Sequence, residues 1–332
     1  MSGPGGWRVP GYAEVRRLGP DGEPGKPGDP GNPGRSDADG RVVLAVNEMT
    51  GARVAIGYLP EDARREPGFA GRFRERARIL MELDDPHLAR VYGYAEGPQG
   101  AAVVMEVVNG ATLRALLRRP ATITPETALV VLKDSLLGLA AAHEAGVVHG
   151  DHRPERVLVQ GDGTSKLAGL GLALRAGSAE YLAPELAAGR PASAASDMYA
   201  ATAVFYECLT GRAPSPDARA GHVAGLLEPL RAVAGRGLAG DPALRPASAA
   251  MFVSELGEVA SAACGAGWEE RGRRGAASAA AALAASFPLN RPQPDRRRAG
   301  ALTRVLPPVR AAIAAVRRLP PLARHRTDPP PP

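Results

Sequence analysis

The residues that could carry chemistry are concentrated in one short segment. Val147–Val159 reads VVHGDHRPERVLV and holds two histidines, two carboxylates and two arginines. Elsewhere the histidines show no spacing typical of metal ligands. The chain has two cysteines, Cys208 and Cys264, which exclude a disulfide framework and a cysteine-cluster zinc site and suit a reducing compartment.

Further short motifs surround this segment in a fixed order. Before it come Val54–Ile56 (VAI), Asp85–His87 (DPH) and Val104–Glu106 (VME), and after it come Ala183–Glu185 (APE), Ser196–Tyr199 (SDMY), Tyr206–Gly211 (YECLTG) and Asp241–Pro246 (DPALRP). This ordered set resembles the bacterial Ser/Thr protein kinases over about residues 11–262. The likeness is strongest to actinobacterial kinases that carry a transmembrane segment after the kinase domain, a segment not found in this sequence.

The resemblance implies roles for the residues that match family positions. Asp151 occupies the position of the catalytic base, and Glu185 and Arg245 match an ion pair that ties the APE segment to the late C-lobe. His149, Leu80, Leu170 and Asp197 fall where the family stacks a buried spine, so His149 is expected to be a core histidine. The positions that line the adenine slot are occupied by the apolar residues Val42, Ala55, Met105 and Leu158.

The same alignment shows that most of the phosphate-handling groups are replaced. Gly57 stands where the family has the phosphate-binding lysine, and Arg76 stands where the partner glutamate is expected. Arg156 replaces the metal-binding asparagine and Gly169 the metal-binding aspartate. Phosphoryl transfer depends on positioning and charge neutralisation, so these losses remove its main requirements.

Two loops that serve the cleft are also altered. Gly19–Gly34 reads GPDGEPGKPGDPGNPG and lies in an insertion over residues 19–40, where the family has a short glycine-rich loop. We expect a flexible polyproline-II-like loop there. The segment between Gly171 and Ala183 is short for an activation segment, and Ser178 is its one serine or threonine.

These observations predict a pseudokinase that works through protein–protein interaction, as a scaffold or regulator of another kinase or of cell-envelope assembly. The alternative is a weakly active, ATP-dependent Ser/Thr kinase with atypical nucleotide binding. The positions of the lysine, its partner glutamate, the base and the two metal ligands are acidic overall in a kinase but carry a net charge of +1 here. Any bound nucleotide is therefore expected without divalent metal, near Arg76 and Arg156. An empty cleft, or one plugged by the insertion, is the other outcome, and no metal site is expected.

The elements that must position these residues form an α+β pattern. Strands are predicted at Arg41–Val46, Arg53–Leu59, Val91–Tyr94 and Ala101–Val108, and helices at 69–83, Leu113–Leu117, Pro125–Ala145, Asp197–Leu209 and Ala247–Ala262. A β-rich N-lobe (11–108) followed by a helical C-lobe (109–262) favours a two-lobed, protein-kinase-like fold, preceded by an N-terminal tail (1–10).

Charge and composition set the ends of the chain apart. Residues 265–332 contain 13 arginines against four acidic residues, a net charge of +9, whereas the whole chain carries +6. The folded part is therefore acidic overall, and a nucleic-acid partner is not expected for it. Residues 263–332 are predicted to be a disordered basic tail that could touch acidic surfaces or anionic membrane. The sequence shows no signal peptide or membrane-spanning run, so a cytoplasmic location is expected.

Overall fold

The structure is a computed structural model that describes residues 7–19, 41–59, 65, 68–119, 123–170, 179–215 and 228–289. Within these residues, eight β-strands and eight α-helices form two lobes. The predicted α+β class with a β-rich first half and a helical second half is confirmed. Gly171 and Ser178 lie outside the described residues. Of the predicted loop at Gly19–Gly34, only Gly19 is described.

The N-lobe is an antiparallel five-stranded sheet with one helix against it. In spatial order its strands are β1 (Tyr12–Leu18), β2 (Arg41–Asn47), β3 (Arg53–Tyr58), β5 (Gly100–Met105) and β4 (Val91–Gly97), and helix α1 covers Phe69–Glu82. Valines and alanines from β2, β3 and β5 form its core, because β-branched and small side chains pack well between pleated strands. Four residues of α1 at helical spacing are buried: Phe69, Phe73, Ala77 and Leu80.

The C-lobe is built around two buried helices. They are α3 (Pro125–Glu144) and α5 (Ala194–Thr210), which pack on each other. Helix α3 also packs on α7 (Ala249–Cys264), and α5 packs on α6 (Glu228–Gly237). Side-chain caps fix where both helices begin: Thr124 accepts a hydrogen bond at the start of α3, and Ser193 forms a capping box at the start of α5. The short helices α2 (Leu113–Leu117) and α4 (Pro184–Ala187) complete the lobe's link to the cleft.

A small sheet lies between the lobes and presents the site. It consists of β6 (Gly110–Thr112), β7 (Val157–Gln160) and β8 (Ser165–Leu167), in that order. The predicted catalytic segment runs directly into β7, and Gly169 follows β8. The sheet therefore holds both replaced metal positions on a hydrogen-bonded frame.

The C-terminal boundary predicted from the sequence is wrong. Residues 263–289 are not a disordered tail: α7 continues to Cys264, and α8 (Trp268–Ala281) packs along α3. Its small residues allow this close contact, since a Cβ at Gly272 would lie 2.3 Å from the carbonyl oxygen of Glu126. The remainder of the predicted tail, residues 290–332, lies outside the described residues. No helix of the described part is long and apolar enough to cross a membrane.

Candidate active-site cleft

Asp197 organises the loop that carries the predicted catalytic base. This buried carboxylate accepts hydrogen bonds from the backbone N–H groups of His149 and Gly150, both at 2.8 Å, and lies 2.9 Å from Nε2 of His143. His149 is fully buried, and its Nδ1 accepts a hydrogen bond from the backbone N–H of Asp151 at 3.2 Å. Burial lowers the pKa of His149, which favours the neutral ring of a core residue.

Asp151 is held between two arginines. Nε of Arg156 donates to Oδ2 of Asp151 at 3.1 Å, and Nε of Arg153 lies 3.2 Å from Oδ1. The aspartate side chain is only 7% exposed. Both carboxylate oxygens therefore face cations, and the three side chains together carry a net charge of +1.

Arg156 also covers the other replaced metal position. A Cβ at Gly169 would lie 3.0 Å from Nη1 of Arg156 and 3.1 Å from its Cζ. Gly169 has a φ of +80°, a backbone conformation that disfavours an L side chain. A carboxylate at this position would need both the guanidinium and the backbone to move. The residues present do not fit a magnesium ion, because a cation occupies one of the two positions that would coordinate it and lies against the other.

Met105 fills the space beside the position of the missing lysine. In the sheet, Val42 pairs with Gly57 and Ala55 pairs with Met105. A Cβ at Gly57 would lie 2.8 Å from Cε of Met105, so the thioether end occupies the start of any side chain at position 57. The phosphate-binding cation is therefore absent, and its path is occupied by an apolar group.

The remaining adenine-slot and helix positions are distributed over both lobes. Ala55 and Met105 are buried, whereas Val42 on β2 and Leu158 on β7 are half-buried. Arg76 is exposed on α1, next to the buried Ala77, so it lies outside the helix face that packs on the sheet.

Two of the four predicted spine residues lie at a small, mostly apolar cavity. Leu80 and Leu170 line it together with Met105 and Gly169. Met105, which contacts the Gly57 position, and Gly169, which contacts Arg156, therefore both line the same cavity.

The structure brings Glu185 and Arg245 together as a buried ion pair. Arg245 donates two hydrogen bonds to the carboxylate, at 2.7 and 2.8 Å, and its side chain has no exposed surface. Burial raises the pKa of Glu185, but the hydrogen bonds from Arg245 outweigh it and hold the pKa below its usual value. The guanidinium also lies 4.9 Å from the ring centre of Tyr199.

Sequence reasoning missed two features of the site. His152 is fully buried beside His149, with ring centres 5.8 Å apart, and burial and this neighbour lower its pKa to about 3. Arg114 forms the centre of a second network, donating to Glu155 at 2.8 Å, to Glu207 at 2.6 Å and to the hydroxyl of Tyr181. The close spacing of the two histidines in the HGDH sequence could have indicated the buried histidine pair. The second needs the fold, since its members are far apart in the chain.

The two lobes, the small sheet and the loop around Asp151 define the protein-kinase fold. The family model described as "Protein kinase domain" matches residues 37–232. The chain therefore belongs to the protein kinase family.

Relatives and solved structures agree with this assignment. The Ser/Thr-protein kinase PknA of Mycobacterium tuberculosis is 35% identical over 192 residues, which cover 53% of this chain and 44% of PknA. PkaB of Streptomyces coelicolor is 39% identical over 181 residues, 48% of this chain and 43% of PkaB. The chain thus spans less than half the length of these relatives. The crystal structure of the M. tuberculosis PknI kinase domain is similar with a TM-score of 0.63 and 26% identity, over 77% of this chain and 98% of that one.

Proposed function

We propose that this protein is a pseudokinase that acts as a signalling scaffold or regulator through protein–protein interaction. The observation that carries the proposal is the position of Arg156, which binds Asp151 and lies against Gly169. One arginine thereby takes the place of two metal ligands and compensates the charge of the base.

The chemistry of phosphoryl transfer explains why this matters. The transferred group develops negative charge that a lysine and metal ions normally stabilise, and this electrostatic stabilisation is usually the largest part of catalysis. Gly57 supplies no charge, and Met105 fills the space beside it. The fold is retained by contacts that need none of these groups, such as the Glu185–Arg245 pair. The protein thus keeps the contacts that hold the fold but not the groups that transfer phosphate, which supports a binding role.

The test is transfer of labelled phosphate from ATP. The full-length protein would be incubated with Mg-ATP and with Mn-ATP, alone and with generic Ser/Thr substrates. The matched control is Asp151→Asn, which keeps the size of the side chain and removes the base. We expect no label above the level of this control. Incorporation by the natural sequence that Asp151→Asn abolishes would refute the proposal.

The second candidate is a weakly active Ser/Thr kinase with atypical nucleotide binding. Two observations favour it: Asp151 is retained, and similar proteins such as PknA and PkaB are named as Ser/Thr-protein kinases. In this case label incorporation would be slow but dependent on Asp151. The same assay, run to long times with the Asp151→Asn control, separates the two candidates.

Any nucleotide would bind this cleft without divalent metal. The cluster of Asp151, Arg153 and Arg156 carries a net positive charge, which attracts phosphate oxygens and repels magnesium. ATP is therefore an optional ligand of the proposed scaffold, and no metal cofactor is proposed.

The proposed partner is another protein, such as a second kinase or a cell-envelope factor. Residues 290–332 contain ten arginines and two aspartates, so this segment is a candidate contact for acidic surfaces or anionic membrane. Binding of the full-length protein to vesicles with and without phosphatidylglycerol measures the membrane contribution. Equal binding to both kinds of vesicle would show that the segment does not recognise anionic membrane, and a protein would remain the proposed partner.

A further inference from the structure

The chain after α8 turns back towards the small sheet. Residues 282–289 contain a 3-10 turn, Ala284–Ser286, that packs on β6. Phe287 follows it and is 4% exposed, close to Gly161 at the end of β7. This segment is thus anchored to the C-lobe through α8 and to the small sheet through an aromatic ring.

The last two described residues then reach the N-lobe. The carbonyl oxygen of Pro288 accepts a hydrogen bond from Arg16 on β1 at 3.0 Å, and that of Leu289 accepts one from Arg53 on β3 at 3.2 Å. The backbone N–H of Leu289 donates to Oδ1 of Asn109, between the lobes, at 3.2 Å. Two of these hydrogen bonds join a segment anchored on the C-lobe to the N-lobe, and the third joins it to Asn109, at the boundary between the lobes.

Other contacts join the lobes without this segment. Lys166 on β8 donates to both carboxylate oxygens of Glu106 at 2.8 and 2.9 Å, and Leu88 pairs with Leu167 through the backbone. The contacts of residues 282–289 differ because they come from the C-terminal part of the chain. They involve backbone atoms of the segment, so they depend on its path more than on its side chains.

We propose that residues 282–289 form an interlobe strap that holds the two lobes in one relative orientation. The strap restricts opening and closing of the cleft. This inference does not depend on whether the protein transfers phosphate, since it concerns lobe motion.

The test measures the distance between the lobes in the full-length protein. Spin labels would be placed at Tyr92→Cys on β4 and Met251→Cys on α7, both exposed positions, in a Cys264→Ser background. The strap variant combines Arg16→Ala, Arg53→Ala and Asn109→Ala. The matched control is Arg74→Ala, whose guanidinium bonds Glu96 within the N-lobe.

We expect a narrow distance distribution in the parent and in the Arg74→Ala control, and a broader or shifted one in the strap variant. Equal distributions in all three proteins would overturn the proposal. Hydrogen exchange of the protein with its natural sequence gives a second test that needs no variant. The backbone amide hydrogen of Leu289 should be protected from exchange, because it donates to Asn109. Exchange of this amide at the rate of an unstructured peptide would also overturn the proposal.

Discussion

The pair formed by Asp134 and Arg273 gives the sharpest test of the C-terminal helix. Asp134 lies on α3 with no exposed side-chain surface, and Arg273 on α8 donates to its two oxygens at 2.9 and 2.8 Å. The backbone N–H of Ser165 also donates to Asp134 at 2.8 Å, and His87 lies 3.7 Å away. Replacing Arg273 by methionine keeps the length of the aliphatic stem and removes the cation.

The expected loss can be worked out from these contacts. Breaking a fully buried ion pair costs about 3–5 kcal/mol, because it leaves one charge uncompensated. Arg273 is 25% exposed, so water can reach the carboxylate, and the bond from Ser165 remains. We therefore expect the free energy of unfolding to fall by about 2–3 kcal/mol. For a domain of this size the melting temperature would fall by about 5–10 °C.

Urea unfolding of the full-length protein measures this loss. The matched control is Arg274→Met, the next residue on α8, which is exposed. The double variant Arg273→Met with Asp134→Asn should recover part of the loss, because the buried charge is then gone; the coupling energy should be about 1 kcal/mol or more. If Arg273→Met is as stable as Arg274→Met, the buried pair does not stabilise the attachment of α8 to α3 and the reasoning is wrong.

Two further predictions concern buried groups of the C-lobe. The pKa of His152 is about 3 in the folded protein against an ordinary value of 6.5, so the unfolded state binds the proton first as the pH falls. The free energy of unfolding should therefore decline as the pH falls below about 6.5, and this residue should account for a loss of about 2 kcal/mol at pH 5. His152→Val should remove that part of the pH dependence. Parallel curves of stability against pH for the two proteins would contradict this prediction. Glu185→Ala should lower the free energy of unfolding by about 3–5 kcal/mol, because it leaves Arg245 buried without its carboxylate. The exposed Glu180→Ala is the control, and an unchanged urea midpoint for Glu185→Ala would refute the role of the pair.

The elements with strong local patterns could be predicted from the sequence. The helix from Pro125 was placed within one residue of its end, because Thr124 and Pro125 mark its start and an alanine- and leucine-rich run follows. Strand β1 was missed because Tyr12–Leu18 contains three charged residues and no fully buried side chain, so only its pairing with β2 defines it.

The C-terminal helix was missed for a different reason. Its arginine-, glycine- and alanine-rich composition is typical of unstructured segments, yet Gly272 and Gly275 are residues that allow close packing on α3. At the site, the charge changes at Arg156 and Gly169 were visible in the sequence. That the Arg156 guanidinium lies on Gly169 and also binds Asp151 depends on the backbone of two separate loops, and a linear pattern does not contain it.

The proposed pseudokinase has lost metal-dependent handling of nucleotide in this cleft. The most direct measurement is the melting temperature of the full-length protein with ATP in EDTA, compared with ATP and excess magnesium. Because Arg156 occupies one of the two positions that align with metal ligands and lies against the other, we predict that magnesium adds no stabilisation, whether ATP stabilises the protein in EDTA or has no effect. Stabilisation by ATP that appears only with magnesium would contradict the account and favour an active kinase.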